Sequence, residues 1–535
     1  MKPRNQFLTS ASIQILGLIW MMIRSCSCTI CPPEVPTEKP EVVSNMGNAS
    51  NMQGQMAPLT INMCSPRSLT LETFPMEEKF ENLVFRGGGV KGLAYCGAIE
   101  VLEKYKMIKN VKRFAGASAG AICATFLALG YSSSELKELL GTNFYTLLIN
   151  FSKWEVHRYP TLIYNLLNYF GFFETSNFLA WLGKAIEEKA GKGKKDLTFR
   201  ELYDTTGKEL CVIITSLNSQ LEEYCHPKTT PDLSIRKAVQ ISMSIPGLFQ
   251  TQTVDNDGKL DYYVDGGVTC NYPIHCFDGW FLSMSQEHSF FLKLPRIREL
   301  KTILQDRFTP TGDNRTLGFI VYSDEESEIF KPVHELPPPN ELPGTKLARS
   351  RMENRKHYNA GSKILDAIDV FLEVLKRHNA NLDRVLTRDE LEATCDDETL
   401  TDEQYKIIFG SVPRNAKAVL EAFGKTENDS ILARDILKFI KRKTGRSVRE
   451  WYMGYSRREI TGVISFGQTF QSLLLTNIGR IFQQDQDIER TVGISTAYIT
   501  TTDFDLEDKD KDFLVEQGRK STEYYLQQQF PKKLN

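Results

Sequence analysis

A serine flanked by small residues, Gly116-Ala117-Ser118-Ala119-Gly120, lies downstream of a glycine-rich run, Gly87-Gly88-Gly89-Val90-Lys91-Gly92. A serine hydroxyl becomes a nucleophile when a base takes its proton and N–H donors face the oxyanion that forms. Ala117 and Ala119 leave room for a sharp turn, and Gly116 and Gly120 allow the chain to cross itself closely. Three consecutive glycines can aim several backbone N–H groups at one point with no side chain in the way. Together these motifs point to acyl transfer. A Gly-x-Ser-x-Gly alone is weak, expected by chance about 0.2 times in a chain of this length. The glycine run also has the Gly-x-Gly-x-x-Gly spacing of a dinucleotide loop. That use needs an acid at the tip of the next strand, about 20 residues on. The next strand runs into the serine turn with no acid at its end, so nucleotide binding is set aside.

The elements around the motifs are those the chemistry needs. Residues 82–85 read as a buried strand, and 93–105 have helical spacing, with Leu93, Cys96, Ile99 and Leu102 largely on one side. Residues 111–114 lead as a strand into the serine turn, and 120–129 form an apolar helix of small residues that Gly130 ends. Ser132 and Glu135 have the spacing of a capping box. Residues 210–215 suit a central strand, and 262–264 a strand that ends in Asp265-Gly266-Gly267. Strand and helix alternate from 82 to 270, which predicts an α/β fold with a mostly parallel sheet and helices on both faces. Residues 143–181 are crowded with aromatics. They read either as helical core or as a partly exposed apolar wall that admits lipid chains.

Gly87 to Gly92, Gly116 to Gly120 and Asp265-Gly266-Gly267, in that order, resemble the three motifs of the patatin-like phospholipase family. Ser242-Met243-Ser244-Ile245-Pro246-Gly247-Leu248-Phe249 and Asn271-Tyr272-Pro273-Ile274 resemble the segments on either side of that family's aspartate. The likeness covers about 80–325 and resumes near 460–530. It implies a three-layer sandwich and a Ser-Asp dyad, with Ser118 as nucleophile, Asp265 as base and no histidine. The same likeness implies an oxyanion hole in the run Gly87, Gly88, Gly89, Val90, Lys91 and Gly92, an elbow of Gly116, Ala117, Ala119 and Gly120, and an aspartate turn of Gly266 and Gly267. No cofactor or metal is implied, and the substrate would be a lipid ester at a membrane or lipid aggregate. Arg86 stands where many plant members have Asp. Lys91 is in a commonly basic position and reads from sequence as a surface or helix-capping cation. An aspartate is a poor base at its ordinary pKa of about 3.9, so burial must raise it. A silent lipid-binding or scaffolding protein on the same fold is the alternative, against which Ser118 and Asp265 both count. His275, His288, His334, His357 and His378 all follow Asp265, so order alone leaves a histidine triad open.

Composition bounds the rest. The 535 residues are 41% hydrophobic and 25% charged with a net charge of -2, a globular balance with no overall attraction to nucleic acid. Eleven scattered cysteines, with no CxxC matched by a second, argue against a zinc site and read as mostly buried thiols. Residues 1–31 carry Lys2 and Arg4 before an apolar run, 13–23, that Arg24 ends. The run is short for a span of about 20 residues. A signal peptide with small residues at Ser25 and Ser27, or an anchor acylated at Cys26, Cys28 or Cys31, are both open. Sequons occur at Asn48, Asn150, Asn314 and Asn428. Residues 32–77 read as a flexible linker, 78–334 as the catalytic domain, and 335–455, opened by Pro337-Pro338-Pro339, as a helical insertion and candidate protein-partner site. Residues 456–535 return to the catalytic domain, with a strand near 492–501 and a closing helix. Within the insertion, Asn379, Asn381, Asp383, Leu386, Thr387 and Glu390 partly fit an EF-hand loop, with Arg384 in place of its glycine. A weaker match spans 424–435, with Asn428 and Ile431. Carboxylates are too few for strong calcium binding.

Overall fold

The computed structural model describes residues 78–142, 144–149, 159–256, 259–293, 299, 302, 306–310, 315–324, 326, 330, 341–378, 385–426, 430–444 and 485–531. The leader, the linker, the four sequons and the prolines at 337–339 lie outside the described residues. So do residues 379–384 and 427–429 of the calcium-like loops.

The first strand, β1 (Asn82–Phe85), is fully buried and leads through the glycine run to α1 (Ala94–Lys104). Next come β2 (Arg113–Ala117) and α2 (Ala119–Ala128), then α3 (Ser133–Leu140), opened by the Ser132–Glu135 capping box. The chain continues through α4 (Tyr159–Tyr169), β3 (Gly171–Phe173), α5 (Ser176–Ala190) and α6 (Phe199–Thr206). It returns to the sheet with β4 (Glu209–Ser216) and β5 (Leu221–Cys225). After α7 (Ile235–Ser242) come β6 (Gly247–Phe249), β7 (Gln252–Asn256), β8 (Lys259–Asp265) and β9 (Thr316–Ser323). Beyond these lie α8 (Lys346–His378), β10 (Val385–Leu386), α9 (Arg388–Asp396), α10 (Asp402–Phe409), α11 (Ala416–Ala422), β11 (Ile431–Leu432) and α12 (Ala433–Thr444). β12 (Thr491–Ala497) and α13 (Asp508–Gln529) complete the fold.

The sheet order is β12-β9-β1-β2-β4-β8-β7, with β5 also paired to β4. β12, β9, β1, β2 and β4 are parallel, β8 and β5 each pair antiparallel with β4, and β7 pairs antiparallel with β8. Two chain directions leave β1, one through β2 and the other to β9. Ligands in open α/β sheets bind beyond the carboxyl ends at such a reversal. The register fixes the level of each functional segment. Phe85 stands opposite Gly116, Ala117 opposite Ile213, and Ile214 opposite Asp265. Antiparallel β8 therefore delivers its last residue to the edge where parallel β1 and β2 end.

Side chains alternate between the two faces, as the strand period requires. Leu83, Phe85, Phe114, Val212 and Phe319 join the larger apolar cluster with α1, α2, α5, α7 and α13. Phe85 stacks on Phe319 at 5.2 Å and meets Tyr95 edge-on at 5.1 Å, contacts worth about 0.5–1.5 kcal/mol each beyond burial. Val84, Ala115, Ala117, Ile213 and Ile320 face a second cluster. The α/β class and mostly parallel sheet are as read, and part of the covering of this second face is described. Among the described residues it comes from Cys270, Tyr272, Ile274, Cys276 and Leu282, with Phe330. The seven cysteines among the described residues are buried and free.

Residues 143–181 divide. Phe178 is fully buried and Trp181 packs against Phe126 and Phe144, whereas Tyr164, Leu167, Tyr169 and Phe170 are exposed. Phe151 and Trp154 lie outside the described residues. Among the described residues no helix is long and apolar enough to cross a membrane. Helices α8 to α12 surround their own apolar cluster, including Phe371, Leu391, Phe409, Leu420 and Ile436. β10 and β11 pair antiparallel there. Arg351 of α8 reaches Asp503 at 2.9 Å and the Tyr498 carbonyl at 3.2 Å.

Candidate active site

Ser118 occupies the single residue between β2 and α2, with φ 51° and ψ −122°. A non-glycine residue held there costs about 1–3 kcal/mol. The elbow persists because its flanks are glycine. A Cβ on Gly120 would lie 2.2 Å from the Phe85 carbonyl oxygen, and one on Gly116 would lie 2.3 Å from Gly120. Ser118 N–H donates to Ser242 Oγ at 2.9 Å, and Ser242 Oγ donates to the Ile213 carbonyl at 2.6 Å. The amino end of α2 directs its dipole toward negative charge developing near this turn.

The Ser118 hydroxyl donates to Asp265 Oδ2 at 2.8 Å. Asp265 Oδ1 accepts the Gly267 N–H at 2.7 Å. The backbone of Asp265 is fixed by a bond from its N–H to Ser244 O and one from Thr215 Oγ1 to its carbonyl, each 2.9 Å. Asp265 is 2% exposed and Ser118 8%. Burial raises the Asp265 carboxyl to about 7, and the hydrogen bonds from Gly267 and Ser118 offset only part of that rise. A base with a pKa near working pH is efficient at proton transfer.

The glycine run is more selective than the sequence reading of six residues. Gly87 N–H donates to Asn271 O at 3.0 Å, Val90 N–H to Thr501 O at 3.3 Å, and Lys91 N–H to Gly88 O at 3.2 Å. Gly92 lies inside the short helix that begins at Gly89. The Gly88 and Gly89 N–H groups have no partner among the described residues, which makes them the candidate oxyanion donors. Gly89 has φ +56°, and a Cβ there would lie 2.1 Å from Thr501 O, so no other residue fits without a shift. The expectation of a surface or capping Lys91 is corrected: its side chain is 1% exposed and pairs with Glu326.

Gly89, Val90, Ser118 and Ala119 border a pocket walled by Ile122, Leu140, Phe144, Leu148, Met243, Ile245, Phe249 and Phe504, with Lys511 also on its lining. Leu148 also lines a neighbouring groove with Tyr169, Phe172 and Phe173. An apolar pocket opening on a serine–carboxylate pair can seat an acyl chain with its carbonyl at the hydroxyl.

The histidines fall elsewhere. His275 pairs with Tyr224 at 2.9 Å, His288 with Ser283 at 2.8 Å and His378 with Asp397 at 2.8 Å. Burial, reinforced by Arg307 and Arg490, depresses His275 to about 3. His157 and His334 lie outside the described residues, as does the side chain of His357. Among the described residues no histidine bonds Ser118 or Asp265, and no three His, Cys, Asp or Glu side chains converge as a metal site. Ser242 and Asn271 lay in segments the sequence had marked, without a role for either. Thr215, Thr501 and Glu326 carried no motif.

Residues 83–278 match the family model described as Patatin-like phospholipase. The protein YqhO of Bacillus subtilis (strain 168) is 32% identical over 274 residues, covering 47% of this chain and 87% of that protein. The chain belongs to the patatin-like phospholipase family. Among other relatives, "Probable lipid hydrolase 463L" of Invertebrate iridescent virus 6 is 30% identical over 205 residues, 38% of this chain and 65% of that protein. "Triacylglycerol lipase 4" of Saccharomyces cerevisiae is 30% identical over 207 residues, 36% of this chain and 22% of the lipase. A mimivirus relative is likewise matched over 63% of its length, so the chain spans just under two thirds of these viral proteins. In structure, VipD from Legionella pneumophila aligns over 84% of this chain and 67% of its own, at 16% identity and a TM-score of 0.35. The fold assignment rests on the sheet order above.

Proposed function

We propose that the protein is a lipid acyl hydrolase that cleaves fatty-acyl esters, of phospholipase A or lysophospholipase type, through Ser118 and Asp265. The observation that carries this reading is the 2.8 Å hydrogen bond from the Ser118 hydroxyl to Asp265 Oδ2, with Ser118 on the lining of an apolar pocket. Family membership supports a lipid ester as substrate.

In the proposed sequence, Asp265 takes the hydroxyl proton as Ser118 Oγ bonds to the ester carbonyl carbon. Negative charge moves to the carbonyl oxygen, facing Gly88 and Gly89 N–H, and the start of α2 adds its dipole. The carbon–oxygen ester bond then breaks. The departing alcohol takes the proton from Asp265 and leaves an acyl-Ser118. A water gives a proton to Asp265 and attacks the acyl carbon. As the second intermediate collapses, Ser118 regains its proton and the fatty acid departs. The apolar wall holds the acyl chain through both steps. We further propose that this happens at a membrane or lipid-aggregate surface. Exposed Tyr164, Leu167, Tyr169 and Phe170 give that surface an apolar contact beside the groove that shares Leu148 with the pocket.

Fluorogenic phospholipid and lysophospholipid hydrolysis by wild type, Ser118→Ala and Asp265→Asn tests the reading. Fatty-acid release is expected from wild type alone. Equal release by all three would sink the dyad, and no release by folded wild type would favour a silent lipid-binding protein.

A further inference from the structure

The Gly87–Gly89 loop has no side chains with which to hold itself. Its two flanks do that work, and both meet at one carboxylate. Arg86 is 2% exposed and Lys91 1% exposed. Lys91 Nζ pairs with Glu326 Oε2, and Arg86 Nη2 lies 3.4 Å from Glu326 Oε1. The same carboxylate accepts the Ser323 N–H at 3.1 Å and the Ser323 hydroxyl at 3.2 Å, which moors it to the end of β9. Arg86 also donates from Nη1 to Val321 O at 2.9 Å and lies 4.6 Å over the Phe330 ring. The Lys91 stem runs against Gly88, where a Cβ would sit 3.5 Å from Lys91 Cε.

Charges taken out of water are tolerated when paired and hydrogen-bonded. Burial alone would raise the Glu326 carboxyl, but Lys91 and Arg86 outweigh it and hold the group down at about 2. The carboxylate is therefore ionised wherever the protein is folded and active. Without it, two buried cations would repel, and one would turn toward water. Either movement displaces an end of the loop that carries the Gly88 and Gly89 N–H groups.

From these contacts we infer that Glu326 is a positioning residue for the proposed hydrolysis. It clamps both ends of the glycine loop and so sets where the two candidate oxyanion donors point. Substrate does not touch it. The inference rests on the proposed roles of Ser118 and Asp265, and it adds an anion moored at the end of β9.

The test compares wild type, Glu326→Gln and Glu326→Asp on a soluble short-chain ester, with melting temperature measured alongside. It also follows the rate at which a fluorophosphonate labels Ser118, a reaction that uses the same oxyanion donors. Outright loss of one such donor lowers kcat about 10²–10³-fold. A displaced loop is expected to lower kcat at least about tenfold, leave KM within about twofold, and slow Ser118 labelling by the same factor as kcat. Glu326→Asp keeps the charge on a shorter stem and is expected to recover part of both rates. Unchanged kcat and labelling in folded Glu326→Gln would overturn the inference. So would a loss that merely tracks the unfolded fraction at assay temperature. If Glu326→Gln does not fold, Glu326→Asp decides: a folded protein with wild-type kcat and labelling overturns the inference, and one with both lowered together supports it. Absence of hydrolysis and of Ser118 labelling in wild type would instead overturn the hydrolase reading, and this inference with it.

Discussion

The carboxyl edge of the sheet and the helices of residues 346–444 each rest on an apolar cluster, yet they use polar groups differently. At the sheet edge, buried polar side chains meet partners far away in the chain. Ser118 and Asp265 are 147 residues apart, and Lys91 and Glu326 are 235 apart. Among the helices, Thr387 caps with Glu390, Thr401 with Gln404, and Asn415 with the Ala418 N–H. Those caps are local and stabilise a helix wherever it forms. Buried polar groups with distant partners cost folding free energy unless well paired, and they concentrate where chemistry needs them. The difference sets the polar groups of the proposed site apart from the helix caps, which serve their own helices.

The largest expected effect is on the nucleophile. Ser118→Ala should lower kcat/KM on a fatty-acyl ester by about 10⁴-fold or more, read by fatty-acid release. A comparable loss from any folded variant confined to α9–α11 would break the contrast between the two regions. Asp265→Asn should follow at about 10²–10⁴-fold, and it should gain stability at pH 8. The sign follows from linkage. The Asp265 carboxyl is raised in the folded state, so the fold binds its proton more tightly than the unfolded chain does. That contribution is full below about pH 4 and is lost as pH rises to about 7. Asparagine stays neutral and escapes the loss, so denaturant melts at pH 8 should show Asp265→Asn above wild type, and at pH 4 the gap should close.

Wild-type activity should fall about tenfold per pH unit below about 7, as the base becomes protonated. A flat profile between pH 5 and 8 on a soluble ester would show that Asp265 is not the base. In the helical region, Leu391→Ala should lower stability by about 2–4 kcal/mol, since Leu391 is 1% exposed. Activity per folded molecule should stay unchanged. Millimolar calcium should shift the melting temperature by less than about 1 °C, because Glu390 Oε2 is already engaged by the Thr387 N–H and hydroxyl at 2.9 Å. A larger rise would give the helices a ligand of their own.

Much of the sheet edge was readable from residues. Glycine spacing and strand-then-helix context located the Ser118 turn, and the resemblance supplied Asp265. Periodicity alone could not have paired them, because their meeting depends on β4 lying between β2 and an antiparallel β8. The glycine run showed where donors could be without showing which were spent. That depended on Asn271 O and Thr501 O, carbonyls with no sequence signature. Glu326 was invisible for a similar reason: its nearness to the loop follows from the β1–β9 register, Phe85 beside Phe319. The aromatic stretch left core and exposed wall both open, because residue type does not separate the exposed Tyr164 from the buried Phe178.

The sheet order has a consequence for synthesis. Ser118 and Asp265 are both translated before Glu326, and Thr501 follows all three. A nascent chain can therefore hold the proposed nucleophile and base while lacking the strand and carbonyl that brace the glycine loop. A polypeptide halted before residue 501 would leave the ribosome with Ser118 made and the carbonyl that holds Val90 N–H still missing.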